Sequence, residues 1–334
     1  MSAHKSPIAV LGAGSWGTAL AQQLAKTGRP IRLWGRSKDK IASIKDKRIN
    51  FLYLPDIELP ENVHPENSLA KCVNGANDVL ICVPSYGFRE TLTKVTPFLD
   101  PDTRVCWATK GFELSTGQLP HQVASDILGD DRPVAVLSGP TFAMEVGKHL
   151  PTAIAVAASN KRYAEELATL LSNDTFRPYT SGDIIGVEVG GAVKNVLAIA
   201  AGVSDGLGFG ANTRIALITR GLAEMTRLGV AIGAQPETFM GLSGIGDLVL
   251  TCTDDQSRNR RMGLLLATGK TVEAAQLDIG QVVEGVRAAK AVKEVATRHK
   301  VVMPICFESY RILYKNIPPN EAVYTLMGRA LRPE

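Results

Sequence analysis

The stretch VLGAGSWGTAL, residues 10–20, places Gly12, Gly14 and Gly17 in a G-x-G-x-x-G spacing. The spacing alone is weak evidence, because a chain with 31 glycines can match it by chance. Its flanks are more specific, since an apolar run at 8–11 precedes it and TALAQQLAKTG, residues 18–28, has helical periodicity with a glycine stop. In such a strand–turn–helix frame the glycines form the turn, admit a pyrophosphate and let helix and strand pack closely. The stretch therefore predicts a dinucleotide cradle, with an ordinary βα turn as the alternative.

The end of the second predicted strand bears on which dinucleotide binds. The apolar run IRLW, residues 31–34, is followed by Gly35-Arg36-Ser37-Lys38. NAD-selective sites usually carry an acidic residue there, which accepts from the ribose 2′-hydroxyl. The cationic side chains of Arg36 and Lys38 suit a 2′-phosphate better. We therefore expect NADP(H), with NAD(H) also accepted; a solvated basic loop is the alternative.

Length and charge limit the class of protein. A chain of 334 residues exceeds what one hydrophobic core usually serves, so two domains are expected. Hydrophobic residues make up 45% and charged residues 21%, and the net charge is only +4. This balance is typical of a globular protein with local sites for phosphorylated ligands, and it argues against a dedicated nucleic-acid binder.

Cysteine usage and hydropathy predict the compartment. The five cysteines are odd in number and have no C-x-x-C spacing, which is typical of reduced thiols in the cytoplasm. The N-terminus has no apolar signal region, and charges or glycines interrupt the apolar runs, so no membrane span is predicted. No metal site is expected either, because no ligand spacing joins the histidines: His4, His64, His121, His149 and His299.

The two halves of the chain differ in periodicity. β-prone runs occur at 79–83, 104–109, 134–138 and 153–158, and a further helix (161–173) and edge strand (176–181) follow. Helical periods then dominate at 186–203, 213–228, 257–268, 284–299 and 304–315. The pattern predicts an α/β chain: a Rossmann-type, mostly parallel sheet domain at 1–185 that binds the dinucleotide, and an all-helical, substrate-binding domain at 186–334.

A lysine interrupts the most apolar of these helices. From Ile184 to Val203 the residues are nearly all small or apolar, apart from Glu188, Lys194 and Asn195. Burial disfavours the ammonium form and lowers a lysine pKa, which suits a proton donor to a carbonyl oxygen. The alternative is that Lys194 reaches solvent or pairs with Glu188. The amide of Asn195 is a candidate donor to a phosphate or hydroxyl.

Three further clusters contain polar residues beside predicted elements. In LSGIGDLVLTCTDDQSRNRRMG, residues 242–263, an aspartate lies between apolar stretches and polar donors open a helix, as in an anion site; a solvated basic face is the alternative. The motifs TKGFE and LSGPTFAMEV each follow a strand, where ligands bind in open α/β sheets. The candidate residues in these clusters are Lys110, Gly139, Thr141, Ala143, Asp247, Ser257, Arg258 and Asn259.

Several long motifs occur in a characteristic order: GAGSWGTALA, ATKGFE, LSGPTFAMEV, NTRIALITRG, LSGIGDLVLTC and SRNRRMG. Through these motifs the chain resembles the bacterial-type NAD(P)-dependent glycerol-3-phosphate dehydrogenases from Gly12 to about Glu284. The resemblance implies dinucleotide contacts from the glycine loop and from Ser15, Trp16, Arg36, Lys110, Ala143, Arg258, Val282 and Glu284. It implies a substrate site made of Lys110, Gly139, Thr141, Lys194, Asn195, Asp247, Ser257, Arg258 and Asn259.

The resemblance also implies a reaction. Dihydroxyacetone phosphate would receive hydride at C2 while Lys194 donates a proton to the oxygen, and Asp247 would orient the lysine or the terminal hydroxyl. The product, sn-glycerol 3-phosphate, would supply the backbone of phospholipids, and a homodimer is expected. Two alternatives stay open: a 2-hydroxyacid or β-hydroxyacid dehydrogenase of related architecture, and a dinucleotide sensor without turnover.

Overall fold

The structure is a computed structural model that describes residues 6–330. His4, one of the histidines considered above, lies outside the described residues. The chain divides into two compact units. The first runs to Val187 but leaves out Gly111–Leu119, which belongs to the second unit together with the chain from Glu188 onward.

An eight-stranded sheet forms the centre of the first unit. The strands of the chain are β1 (Ile8–Leu11), β2 (Ile31–Trp34), β3 (Ile49–Asn50), β4 (Leu54–Glu58), β5 (Val63–Glu66), β6 (Asp78–Ile81), β7 (Arg104–Trp107), β8 (Val134–Ser138), β9 (Thr152–Ala158) and β10 (Phe176–Ser181). The order in the sheet is β10-β9-β8-β7-β6-β1-β2-β5, and neighbouring strands are parallel except for the antiparallel pair β8 and β9. A separate antiparallel hairpin joins β3 to β4.

Helices connect the strands of this sheet. The central strands β1 and β6 are buried along their whole length, as expected for parallel strands covered on both faces. The carboxyl ends of β1, β2, β6, β7 and β8 lie at one edge of the sheet, so the loops that follow them share that edge. The helices are α1 (Ser15–Ala25), α2 (Lys38–Lys47), α3 (Leu69–Val73), α4 (Phe88–Val95), α5 (Pro120–Leu128), α6 (Ala143–Gly147) and α7 (Lys161–Leu171).

The second unit is helical. Its longest helix, α8 (Ile184–Gly206), begins in the first unit and is long and apolar enough to cross a membrane, but 89% of its most apolar window is buried inside the protein. Such burial is typical of the core helix of a soluble protein. The others are α9 (Ala211–Ala231), α10 (Asp247–Thr253), α11 (Arg258–Ala267), α12 (Val272–Ile279), α13 (Glu284–Arg298), α14 (Pro304–Lys315) and α15 (Pro319–Met327).

The predicted fold class, a Rossmann-type mostly parallel sheet followed by a helical region, is confirmed. The sequence did not predict the hairpin β3–β4, strand β5 or the short helices α10, α12 and α15. The predicted strands lie within two residues of the observed ones, and FRPYTS is the edge strand β10.

Candidate functional site

The glycine-rich loop joins β1 to α1 in the tight geometry that its spacing predicts. Gly12 has a φ of +127°, and a Cβ there would lie 2.6 Å from the carbonyl oxygen of Cys82. A Cβ on Gly17 would lie 1.9 Å from the carbonyl oxygen of Gly12. Both positions therefore require glycine, because the strand, the turn and the helix approach too closely for any side chain.

Gly14 lies in a different environment, which tests whether the loop fits a dinucleotide. Apart from its own atoms and those of its chain neighbours, no atom lies within 4 Å of the place where a Cβ would stand on this residue. Gly14 is also the N-cap of α1 and gives no side-chain cap to the amide groups of the first turn. An open space at the amino end of an 11-residue helix suits a pyrophosphate, which the helix dipole and the backbone N–H groups attract. The loop thus fits the group that the sequence predicts.

Arg36 lies just beyond the carboxyl end of β2 and is exposed to solvent. Asn67 donates from Nδ2 to the carbonyl oxygens of Gly35 and Arg36, at 3.0 and 3.2 Å, which fixes the backbone at this point. Ser37 then caps α2 by accepting from the backbone N–H of Lys40. An exposed guanidinium at this strand end is compatible with a 2′-phosphate.

Three predicted residues meet where β7 and β8 end. The Nζ of Lys110 and the hydroxyl of Thr141 both donate to the carbonyl oxygen of Gly139, at 3.5 and 3.1 Å. Thr109 donates to the carbonyl oxygen of Val83 at 2.7 Å, which joins the loops after β7 and β6. An ammonium and a hydroxyl are thereby held together at the edge where ligands bind in this fold. Ala143, also predicted, begins α6 a few residues further on.

In the second unit, α8 carries a buried ion pair. Lys194 is 8% exposed, and its Nζ lies 2.5 Å from Oδ1 of Asp247. The same Nζ donates to the hydroxyl oxygen of Thr251 at 2.9 Å. Thr251 in turn donates to the backbone carbonyl of Asp247 at 2.6 Å. The ammonium is therefore fixed by a carboxylate and a hydroxyl that lie on the same face of α10.

The local backbone explains why this pair forms. Gly190 precedes Lys194 by one helical turn, so both residues lie on the same face of α8. A Cβ on Gly190 would lie 2.1 Å from the carbonyl oxygen of Ser243. Ser243 belongs to a π-helical turn, Leu242–Gly246, that leads directly into α10. The glycine thus allows the close approach that brings Asp247 to the lysine.

A second buried cluster links α8, α11 and α13. Asn259 donates from Nδ2 to Oδ1 of Asn195 at 2.9 Å, and its own Oδ1 accepts from the backbone N–H of Gly285 at 2.9 Å. A Cβ on Gly285 would lie 2.6 Å from the carbonyl oxygen of Asn195, so only glycine permits this contact. The two predicted asparagines therefore hydrogen-bond to each other and hold the start of α13 beside α8.

The remaining predicted residues lie around the starts of α11 and α13. Ser257 is the N-cap of α11, and its side chain accepts from the backbone N–H of Arg260. Arg258 is half-buried and donates to Oε1 of Gln281 at 3.5 Å. Val282 is 42% exposed, and Glu284 is the first residue of α13. Arg260 is not part of a solvated basic face, because it is buried and paired with Asp205.

The sequence did not identify Thr251 as a site residue. Its position four residues after Asp247 is the signal that could have found it, because residues at this spacing share a helix face. Within 6–330, no group of three or more histidine, cysteine or acidic side chains is arranged to hold a metal ion.

Comparison with known proteins connects these features to a family. A family model described as the NAD-dependent glycerol-3-phosphate dehydrogenase N-terminus matches residues 7–164, and the corresponding C-terminus model matches residues 183–324. The chain belongs to the NAD-dependent glycerol-3-phosphate dehydrogenase family. The family resemblance that the motifs predicted is therefore confirmed.

Members of the glycerol-3-phosphate dehydrogenase family match this chain over its whole length. It is 52% identical to a protein named glycerol-3-phosphate dehydrogenase [NAD(P)+] from Escherichia fergusonii and 53% identical to one of that name from Klebsiella pneumoniae. Both matches cover 100% of this chain and 99% of the relative. The solved glycerol-3-phosphate dehydrogenase of Coxiella burnetii superposes with a TM-score of 0.95 at 46% identity, covering 98% of this chain and 100% of that one.

Proposed function

We propose that this protein catalyses the reversible NAD(P)H-dependent reduction of dihydroxyacetone phosphate to sn-glycerol 3-phosphate, the backbone of phospholipids. The observation that carries the proposal is the buried contact between Lys194 and Asp247, in a chain of the glycerol-3-phosphate dehydrogenase family. A buried ammonium held by a carboxylate is a proton donor fixed in position, as reduction of a ketone requires.

In the first unit, the glycine-rich loop and the end of β2 would hold the dinucleotide. The pyrophosphate would lie on the glycine loop, and Ser15 and Trp16 would contact it from the first turn of α1. Arg36 would pair with a 2′-phosphate, so NADP(H) is preferred and NAD(H) accepted. Lys110, Ala143, Arg258, Val282 and Glu284 complete the proposed set. When bound, the reduced nicotinamide supplies the hydride.

Lys194 performs the proton transfer. As hydride reaches C2, negative charge develops on the carbonyl oxygen of the substrate, and the ammonium donates a proton to it. Asp247 and Thr251 hold the Nζ throughout, so the donor needs no reorganisation at the moment of reaction. In the oxidation of sn-glycerol 3-phosphate the neutral amine accepts the hydroxyl proton, and the same contacts position it.

The phosphate of the substrate would bind at the start of α11. Arg258 supplies a guanidinium there, and the N-terminus of this helix attracts an anion. Asn195 and Asn259, joined at 2.9 Å, would orient the substrate hydroxyls, and Lys110, Gly139 and Thr141 would contact the substrate as well. Fixing the phosphate places the ketone for reaction, and such positioning lowers a barrier by several kcal/mol.

The domain roles extend this assignment. Residues 1–185 would form the dinucleotide-binding domain and residues 186–334 the substrate-binding domain. We place the enzyme in the cytoplasm as a homodimer that does not bind nucleic acid, since the net charge is small and dimers are the commonest oligomers.

The test is the rate of NADPH oxidation, followed at 340 nm, with dihydroxyacetone phosphate as substrate. We expect turnover with wild-type protein and a loss of at least about a hundredfold in Lys194→Ala, the lower end of the range for one general acid. Lys161→Ala is the matched control, because that side chain is 90% exposed. It should keep the wild-type rate.

The alternatives predict different results. Turnover with 2-oxo acids and none with dihydroxyacetone phosphate would identify a hydroxyacid dehydrogenase. Dinucleotide binding without turnover of either substrate would identify a sensor. Equal rates for wild type and a folded Lys194→Ala variant would remove the lysine from the mechanism.

A further inference from the structure

A buried asparagine outside the predicted site contacts the glycine-rich loop. Asn50 ends β3, in the hairpin that the sequence did not predict, and is only 3% exposed. Its Nδ2 donates to the carbonyl oxygen of Ala13 at 3.1 Å and to the hydroxyl oxygen of Thr18 at 2.8 Å. Ala13 stands between Gly12 and Gly14, so one side chain bridges the loop and the second turn of α1.

The contact with Ala13 determines how the next peptide group is oriented. The amide that joins Ala13 to Gly14 is planar and trans, so its C=O and N–H point in opposite directions. Because Asn50 holds the carbonyl oxygen on the side of the hairpin, the N–H of Gly14 points away from the hairpin. The space around Gly14 is open, since a Cβ on this residue would have only its chain neighbours within 4 Å.

We propose that Asn50 is a positioning residue for the dinucleotide, which orients the Gly14 N–H toward the pyrophosphate before the cofactor binds. Without this anchor, glycines on both sides would let the peptide rotate, and binding would have to fix it at an entropic cost. This role rests on the proposed function, since it requires a pyrophosphate on the loop.

The hairpin that carries Asn50 is itself firmly held. Leu54 and Ile57 of β4 are buried in the hydrophobic core of the first unit. Arg48 donates from its guanidinium to the carbonyl oxygens of Leu59 and Pro60, and its own carbonyl accepts from the Leu59 N–H at 2.7 Å. A fixed hairpin is what allows one amide to define the position of a flexible loop.

The test is a calorimetric titration with ADP-ribose, which contains the pyrophosphate and no nicotinamide. Asn50→Ala and Asn50→Asp should each raise the Kd about tenfold or more, as expected when one anchor of a preorganised contact is lost. In steady-state assays the KM for NADPH should rise while kcat at saturating NADPH stays within about twofold. A residue that only stabilises the fold would not produce this split.

Asn62 provides the matched control. Its Nδ2 also donates to two backbone carbonyls, those of Ala25 and Arg29 at 2.8 and 2.9 Å, but at the other end of α1. Asn62→Ala should lower the thermal midpoint while leaving the ADP-ribose Kd within about twofold. Equal effects of Asn50→Ala and Asn62→Ala on the Kd would overturn the proposal, as would Asn50 variants that bind like wild type.

Two further outcomes are distinguishable. If both Asn50 variants fail to fold, Thr18→Val decides, because it removes the second anchor of the Asn50 amide and should raise the Kd by about threefold. An unchanged Kd in that variant would overturn the proposal. If wild-type protein binds neither ADP-ribose nor NADPH, the proposed cofactor site fails, and the role of Asn50 fails with it.

Discussion

The Nζ of Lys194 lies 2.5 Å from Oδ1 of Asp247, with the two side chains 10% and 1% exposed. Removing one member of such a buried pair takes this partner away from the charge that remains. We expect Lys194→Met to lower the free energy of unfolding by about 3–5 kcal/mol, and Lys194→Met/Asp247→Leu to recover most of that loss. Urea unfolding followed by circular dichroism measures both values.

The exposed pair of Lys161 and Glu165 gives the comparison. These side chains are 90% and 58% exposed at 3.7 Å, so Lys161→Met should change stability by less than about 1 kcal/mol. A double variant that is less stable than Lys194→Met alone would show that the carboxylate is held by groups other than the lysine.

The amide of Asn259 joins two buried groups, and its removal should be costly. Asn259→Ala leaves Oδ1 of Asn195 and the N–H of Gly285 without this partner. We expect a loss of about 2–4 kcal/mol in unfolding free energy and a raised KM for dihydroxyacetone phosphate. The control is Asn212→Ala, at an exposed position of α9. A folded Asn259→Ala variant with wild-type stability would contradict the bridging role.

Arg36 should determine cofactor preference. Arg36→Ala is expected to lower kcat/KM for NADPH by about 10- to 100-fold, since a hydrogen bond to a charged group contributes about 1.5–3 kcal/mol. The value for NADH should change little, because NADH has no 2′-phosphate. Arg162→Ala, whose side chain is 88% exposed, is the control. Equal losses with the two cofactors would mean that Arg36 does not contact the 2′-phosphate.

The thiols should be inert in the folded protein. Burial raises the pKa of Cys72, Cys106 and Cys252 to about 12. Desolvation also raises the pKa of Cys306 and of the half-buried Cys82 well above the ordinary value. Because the thiolate is the reactive form, we expect no thiol to react with a disulfide reagent at pH 8 until the chain is denatured. All five should then react. A fast-reacting thiol in native protein would contradict this.

The same shifts predict a loss of stability in alkali. Unfolded thiols titrate near 9.0, whereas folded Cys72, Cys106 and Cys252 keep their protons to about 12. Between pH 9 and about pH 12 the unfolded state therefore binds fewer protons than the folded state. The free energy of unfolding consequently falls as the pH rises through this range, by up to about 1.4 kcal/mol per pH unit for each thiol. Urea midpoints at pH 8.5 and 10 measure the fall. Cys106→Ala should show a smaller slope, and an unchanged slope would contradict the assignment.

Local patterns account for the parts of the fold that the sequence predicted correctly. The unit from β1 to α1 was predictable because strand, glycines and helix are adjacent in the chain. The region 49–66 was missed because β3 has only two residues and the burial of β4 does not alternate as that of a half-buried strand does. Both β4 and β5 also contain a proline, which weakens a strand prediction.

Contacts between distant residues limited the site prediction. The sequence indicated a costly lysine at 194, with solvent or Glu188 as alternatives to a chemical role. The observed partner is Asp247, and the sequence cannot show that a glycine at 190 brings it within reach. Asn50 was invisible for the same reason, since it meets Ala13 from 37 residues away.

The short segment Gly111–Leu119, assigned to the second unit, has a consequence for dissecting the chain. Arg298 of α13 donates to the carbonyl oxygen of Thr116 at 3.0 Å, so this segment is packed by residues that follow it by 182 positions. The polypeptide consequently passes between the units at three points, near residues 110, 119 and 187. A truncation that begins at Glu188 would discard part of the helical unit, so neither half can be excised intact with a single cut.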